Sequence, residues 1–268
     1  MEDPMRTALF LLFVISFTLL AQPLAAQPAQ DGPLWAMSFW KMKLETLPEW
    51  RRLVKQVWNR DNDALKKAGL IEDHATFTHD YGSEWNLLTF TRFKDYAAVD
   101  ALDEQADAIT RKYSPDTVAT AALGRALRSH VIEHYDSFVR PIAGTSLNVA
   151  TVPGENSLWV FSSYRIKMGH TDDLEKWLTD NWKQTDEELK KEGTIQDFCY
   201  LLHDYGSDWN FIRVVKVKGY ADIDKIQKRS QEINTKRTPD AAERQTKGRM
   251  FSDMVFAHFD SFMRQMGQ

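Results

Sequence analysis

One eight-residue motif occurs twice in this chain, and it fixes how the rest can be organised. His79-Asp80-Tyr81-Gly82-Ser83-Glu84-Trp85-Asn86 returns 124 residues later as His203-Asp204-Tyr205-Gly206-Ser207-Asp208-Trp209-Asn210. The same offset places Leu34-Trp35 on Leu158-Trp159 and Lys66-Lys67-Ala68-Gly69 on Lys190-Lys191-Glu192-Gly193. It also places His134-Tyr135-Asp136-Ser137-Phe138 on His258-Phe259-Asp260-Ser261-Phe262. Residues 34–140 therefore align on 158–264 without a gap, and roughly a third of the positions are identical. Two copies are too few for a solenoid, which needs about three or more. They suit one pseudo-symmetric body.

Each copy reads in the same order. Residues 34–43 and 158–167 are rich in aromatic and branched side chains and predict first strands. An amphipathic helix follows. In copy two, Thr171 is the expected N-cap and Asp172-Asp173 suit the positive helix start. Leu174, Trp177, Leu178, Trp182 and Leu189 recur at helical spacing, and Gly193 marks the helix end. In copy one the same roles fall to Thr46, Leu47, Trp50, Leu53, Val54, Val57, Trp58, Leu65 and Gly69. Second strands are expected at 71–79 and 195–203, the motif as the turn, and third strands at 85–93 and 209–217. A second helix and a short third one follow, the latter capped by Ser114 or Thr238 with Pro115 or Pro239 at the first helical position. Residues 130–139 and 254–263 close each copy as fourth strands. Residues 141–157 hold Pro, Gly, Ser and Asn without periodicity and predict a plain linker.

Strand, helix, strand, strand, helix, strand is the ferredoxin-like βαββαβ unit, an α+β arrangement with helices on one sheet face. Its other sheet face needs cover, and a duplicated chain supplies it. In this the chain resembles the dimeric α+β barrel superfamily, which includes NIPSNAP-like proteins and antibiotic-biosynthesis monooxygenases. There, two ferredoxin-like halves pack sheet to sheet, as two chains or as one tandem chain. The resemblance covers nearly all of residues 34–264 and rests on element order and the duplication, not on a catalytic motif. It implies the barrel fold; function needs a site.

The first residues read differently. Residues 7–21 form a weakly polar to apolar run, with small Ala25-Ala26 behind it, so residues 1–26 are expected to be a signal peptide and 27–33 a short polar leader. Met5-Arg6 would make a more ordinary start than the acidic Glu2-Asp3. An exported chain, periplasmic or secreted, is the expectation, with no membrane contact after cleavage. The net charge of −4 offers no basic stripe for nucleic acid. The one cysteine, Cys199, cannot form an internal disulfide and reads as a small buried thiol.

Chemistry could reside in two places. The motif is a natural hairpin turn: Asp80 and Ser83 can bond local backbone, Gly82 can take positive φ, and Trp85 can lead the return strand. His134 and Asp136 are two apart and share a strand face, as do His258 and Asp260, the pattern of an oriented general base or of a polar strand-end pair. In the barrels this chain resembles, strand two of one half lies beside strand four of the other. His79 would then approach His258, and His203 would approach His134. The candidate catalytic residues are therefore His79, His134, His203 and His258, with Asp80, Trp85, Asn86, Asp204, Trp209 and Asn210 shaping a ligand site. The strand aromatics are either core or the lining of a cavity for an apolar ligand. No metal-ligand spacing, phosphate loop, nucleophile elbow or dinucleotide fingerprint is present, so no metal or cofactor is expected. Three readings stand open. One is a small-molecule-binding barrel, with or without cofactor-free monooxygenase- or isomerase-type chemistry. Another is a non-catalytic assembly or partner-binding barrel, in which an oligomer would be natural. The third is a haem-binding tandem barrel, because some barrels of related architecture hold haem through one histidine.

Overall fold

The computed structural model describes residues 32–267 apart from 114–115, 151–155 and 208. The expected signal peptide and most of the leader lie outside these residues. Each half runs strand, helix, strand, strand, helix, helix, strand. Half one comprises β1 (Leu34–Met42), β2 (Asp73–Gly82), β3 (Leu87–Phe93) and β4 (Val131–Pro141). Half two comprises β5 (Leu158–Ile166), β6 (Asp197–Gly206), β7 (Phe211–Val217) and β8 (Val255–Gln265). The helices are α1 (47–67), α2 (Tyr96–Tyr113) and α3 (Thr117–Ser129), then α4 (171–191), α5 (Ala221–Arg237) and α6 (Ala241–Met254).

The strands close into one antiparallel barrel in the order β1-β3-β2-β8-β5-β7-β6-β4. Within each half the order is fourth, first, third, second. Two seams join the halves, β2 to β8 and β4 to β6. Strand alternation sends one set of side chains inward. Trp35, Phe39, Phe77, Phe90, Trp159 and Phe161 fill the interior, each essentially inaccessible to water. Burying one such side chain contributes about 1.5–3 kcal/mol. The other set lies outward under the helices. There α1 packs Trp50, Leu53, Val54 and Leu65 downward, and α4 packs Leu174, Trp177, Leu178 and Leu189. Both long helices widen into a π-turn at the same place, Val54–Asn59 and Thr179–Lys183. Both end before a glycine in the left-handed region, Gly69 and Gly193. Among the described residues no helix is long and apolar enough to cross a membrane.

Several local expectations are corrected. β2 and β6 do not stop at His79 and His203 but run on to Gly82 and Gly206, and the third strands begin two residues late, at Leu87 and Phe211. The extra strand length exists because it pairs across the seams, Tyr81 with Phe262 and Gly82 with Ser261, behind a bulge at Asp80. Thr171 is the first residue of its helix; the N-cap position is His170, and its ring approaches Asp173 instead. The short third helices are capped by aspartate: Asp116 accepts from the Ala119 amide and Asp240 from the Ala242 amide. A carboxylate beats the hydroxyl of Thr238 because it also meets the positive helix end. Ser114 and Pro115 lie outside the described residues. The linker is more than a connector, since Leu147 and Val149 enter the interior core and Gln265 donates to the Val149 carbonyl at 2.7 Å.

Candidate functional site

The repeated motif is a clasp between the halves. Asp80 accepts from Arg264 Nε at 2.8 Å and from the Tyr220 hydroxyl at 3.4 Å. Its twin Asp204 accepts from Arg140 Nε at 2.9 Å and the Tyr96 hydroxyl at 3.0 Å. Tyr81 and Tyr205 set their rings edge-on against the same tyrosines, Tyr220 and Tyr96. Gly82 and Gly206 have φ of 115° and 120°, and a Cβ on either would collide with the Asp260 or Asp136 carbonyl. Ser83 meets Ser261 at 2.6 Å, and Ser137 meets Ser207 at 2.8 Å. Asn86 brackets Met42, its Nδ2 donating to the carbonyl and its Oδ1 accepting from the amide, both at 2.7 Å. Asn210 brackets Ile166 in the same way, at 2.9 and 2.6 Å. Trp85 packs edge-on against Phe39 and Tyr135, and Trp209 against Phe259 beneath the Arg165 guanidinium. These residues are occupied in holding strands together.

The four histidines do not gather. His79 stands opposite interior Met263, five residues from His258, a separation of roughly 16 Å along the strand. His203 stands opposite Val139, equally far from His134. The seams form as the resemblance implies, but their register ends at Ser261 and Ser137, and the β4 and β8 starts extend beyond it. His79 and His203 are half-buried, and their Nε2 atoms are buried without a hydrogen-bond partner among the described residues. Burial holds both imidazoles below the ordinary histidine value, opposed by the charges of Asp80 and Asp204. His134 and His258 lie outside the barrel, stacked on Trp40 (4.4 Å between centroids) and Tyr164 (5.5 Å). Each has its own carboxylate near Nε2, Asp136 at 3.6 Å and Asp260 at 3.9 Å. Cys199 is fully buried, and burial pushes its thiol up to about 12.

His134 borders a groove that the strand pattern does not announce. Between the outer sheet face and the helices of half one lies a cavity of about 480 Å³. β1 and β3 supply Trp40, Met42, Leu87 and Thr89. The π-turn of α1 supplies Val54, Val57 and Trp58, and α3 and β4 supply Gly124, Leu127, Arg128, Val131 and His134. The extra residue of a π-turn re-aims side chains, which is why such turns recur at ligand sites. Trp40 donates to Thr89 Oγ1 at 3.1 Å, so its own N–H is used. The Trp58 indole N–H is buried without a partner among the described residues. A largely apolar, aromatic wall with Arg128 and His134 at its border suits a flat apolar ligand.

Half two has the same walls but has filled the corresponding space. Thr89 corresponds to Arg213, whose guanidinium reaches Asp186 through Nε (3.0 Å) and Nη2 (2.6 Å) and lies over Trp182. Tyr200 donates to the same carboxylate at 2.5 Å. Leu127 corresponds to Phe251, whose ring stacks on Trp177 and contacts Trp182 and Tyr164. Sequence reasoning left the strand aromatics, Trp40 among them, as core or cavity lining on either sheet face, and did not single out Trp58, Thr89, Leu127 or Arg128 as neighbours of Trp40. The available signal was volume: at aligned positions the first copy holds Thr and Leu where the second holds Arg and Phe.

No family model and no curated protein matches the sequence. The fold does have counterparts among solved structures. A candidate monooxygenase from Fusobacterium nucleatum superposes with a TM-score of 0.52 at 9% identity, over 88% of this chain and 93% of that one. An anthrone oxidase-like protein superposes with a TM-score of 0.52 at 12% identity, over 89% and 93%. Identities this low speak for the fold alone. The chain shares the architecture of the dimeric α+β barrels, built here by one polypeptide.

Proposed function

We propose that this is an exported small-molecule-binding barrel, built from two ferredoxin-like repeats, whose ligand occupies the half-one groove. The observation that carries the reading is the groove itself: about 480 Å³, walled by Trp40, Trp58, Met42 and Leu127. The ligand class is a flat apolar ring system with a carbonyl or phenol oxygen. Arg128 and His134 stand at its polar edge. His134 is the group there placed to take a proton from the ligand as a general base, with an Asp136 oxygen 3.6 Å from its Nε2. That is the first step any cofactor-free oxygenase or isomerase of this kind requires. His79, His203 and His258 take no part in this reading. Export rests on the apolar run and small residues before Gln27.

Haem is the second reading, favoured by a histidine bordering the groove. The fit is poor. The His134 ring is stacked on Trp40 at 10°, and its Nε2, the nitrogen an iron would take, lies 3.6 Å from an Asp136 oxygen. The test is a tryptophan-fluorescence titration with anthrone, a flat tricyclic ketone. Saturable quenching in the native chain, lost in Leu127→Phe, supports the groove. Quenching that Leu127→Phe leaves untouched removes it.

A further inference from the structure

Half two carries a cleft of a different character. About 510 Å³ lies between α4, α5 and α6, outward of the space that Arg213 and Phe251 fill. Its floor is aromatic: Trp177, Trp182 and Phe251. One wall is the π-turn of α4 with Asn181, and another is the face of α5 bearing Gln231 and Asn234, three positions apart and so on one side of the helix.

Of the two cations at its rim, Lys247 is paired with the Glu243 carboxylate at 2.8 Å, and Arg244 spends Nη1 on the backbone carbonyls of Thr238 and Pro239 at 2.6 and 2.7 Å. The neutral amides are only half used. Asn181 spends its Nδ2 on the Trp177 carbonyl at 2.8 Å, which leaves its oxygen as an acceptor. Asn234 spends its oxygen on the Thr185 hydroxyl at 2.8 Å, which leaves its two N–H donors. The cleft thus offers an acceptor from one wall, donors from another and an aromatic floor.

The cleft is kept open by Gly248, where an added Cβ would meet nothing within 4 Å. Residues 117–129 and 241–253 are aligned helices that share only Gly124-Arg125 and Gly248-Arg249. A glycine within a helix is less stable than alanine by about 0.5–1 kcal/mol. Two glycines kept in otherwise unshared helices, each bordering the cavity of its own half, are accounted for by the space they leave.

Hydroxyl groups both donate and accept, and the C–H face of a saturated ring packs on aromatic side chains. We propose that this cleft binds an uncharged, hydroxylated ring of the sugar class, independently of the half-one groove. The test is saturation-transfer NMR of the full chain with cellobiose. The expected result is transfer to the ring C–H protons in the native chain, no transfer in Gly248→Leu, and affinity about tenfold lower in Gln231→Ala, the loss of roughly one neutral hydrogen bond. The half-one variant Leu127→Phe should bind cellobiose normally. If Gly248→Leu does not fold, the surface variant Gln231→Ala decides. No transfer in the native chain, transfer unchanged in the folded cleft variants, or displacement of cellobiose by inorganic phosphate would each overturn the proposal.

Discussion

Asp80 and Arg264 are 184 residues apart and meet across the β2–β8 seam, Nε to carboxylate at 2.8 Å. Their twins Asp204 and Arg140 do the same across the β4–β6 seam, and are somewhat better buried. The pair explains why the motif survived duplication: each copy holds the other half. A hydrogen bond to a charged group contributes about 1.5–3 kcal/mol, less where water reaches it. Asp204→Ala should therefore destabilise by about 2 kcal/mol and Asp80→Ala by less. Urea unfolding of both variants and their arginine partners, read as double-mutant cycles, checks the coupling.

Glycine positions separate by cause. Gly82→Ala and Gly206→Ala each force a Cβ onto a seam carbonyl at positive φ, and should cost at least about 3 kcal/mol. Gly248→Ala meets open space inside a helix and should stabilise by about 0.5–1 kcal/mol. Thermal unfolding of the three variants reads the difference in sign directly.

The half-two network is a buried charge set. Arg213→Met leaves Asp186 buried without its counter-ion and should cost about 3–5 kcal/mol. Combining it with Asp186→Leu should recover part of that loss, because the stranded charge is gone while the buried Tyr200 hydroxyl loses its acceptor. Urea midpoints of the single and double variants test this.

Acid should loosen the barrel. His79 and His203 have folded pKa values lowered by burial, so the folded state binds fewer protons than the unfolded one. Their neutrality costs nothing above the unfolded value of about 6.5. Stability falls as the pH drops below it toward the folded values. Urea midpoints should decline from pH 7.5 to pH 5, and the decline should be shallower in His79→Gln/His203→Gln. An equal slope in that variant would place the acid sensitivity in other groups.

The gapless repeat made the barrel legible, because two units with the same element order and a bare sheet face each have one way to cover it. The helix faces were legible from Trp50, Leu174 and Leu189 through their spacing alone. Strand ends were not: Tyr81 and Gly82 belong to β2 only because Phe262 and Ser261 pair with them from a distant stretch. The histidine pairing failed for the same reason, since strand neighbours can be inferred from topology while register is set by contacts such as Ser83 to Ser261. The linker's Leu147 and Val149 carry no periodicity that would reveal their burial. The groove was hidden because Trp40 and Trp58 look like core residues until Thr89 and Leu127 are seen to leave space beside them.

Native mass spectrometry of the chain purified from its own source tests the central claim most directly. The account predicts a retained small molecule of discrete mass, one per chain, absent from Leu127→Phe, which puts the half-two ring into the half-one space, and from Thr89→Arg/Asn62→Asp, which supplies both the arginine and the carboxylate of half two. The same adduct retained undiminished by both folded variants, or no retained and no titratable apolar ligand in the native chain, would contradict it.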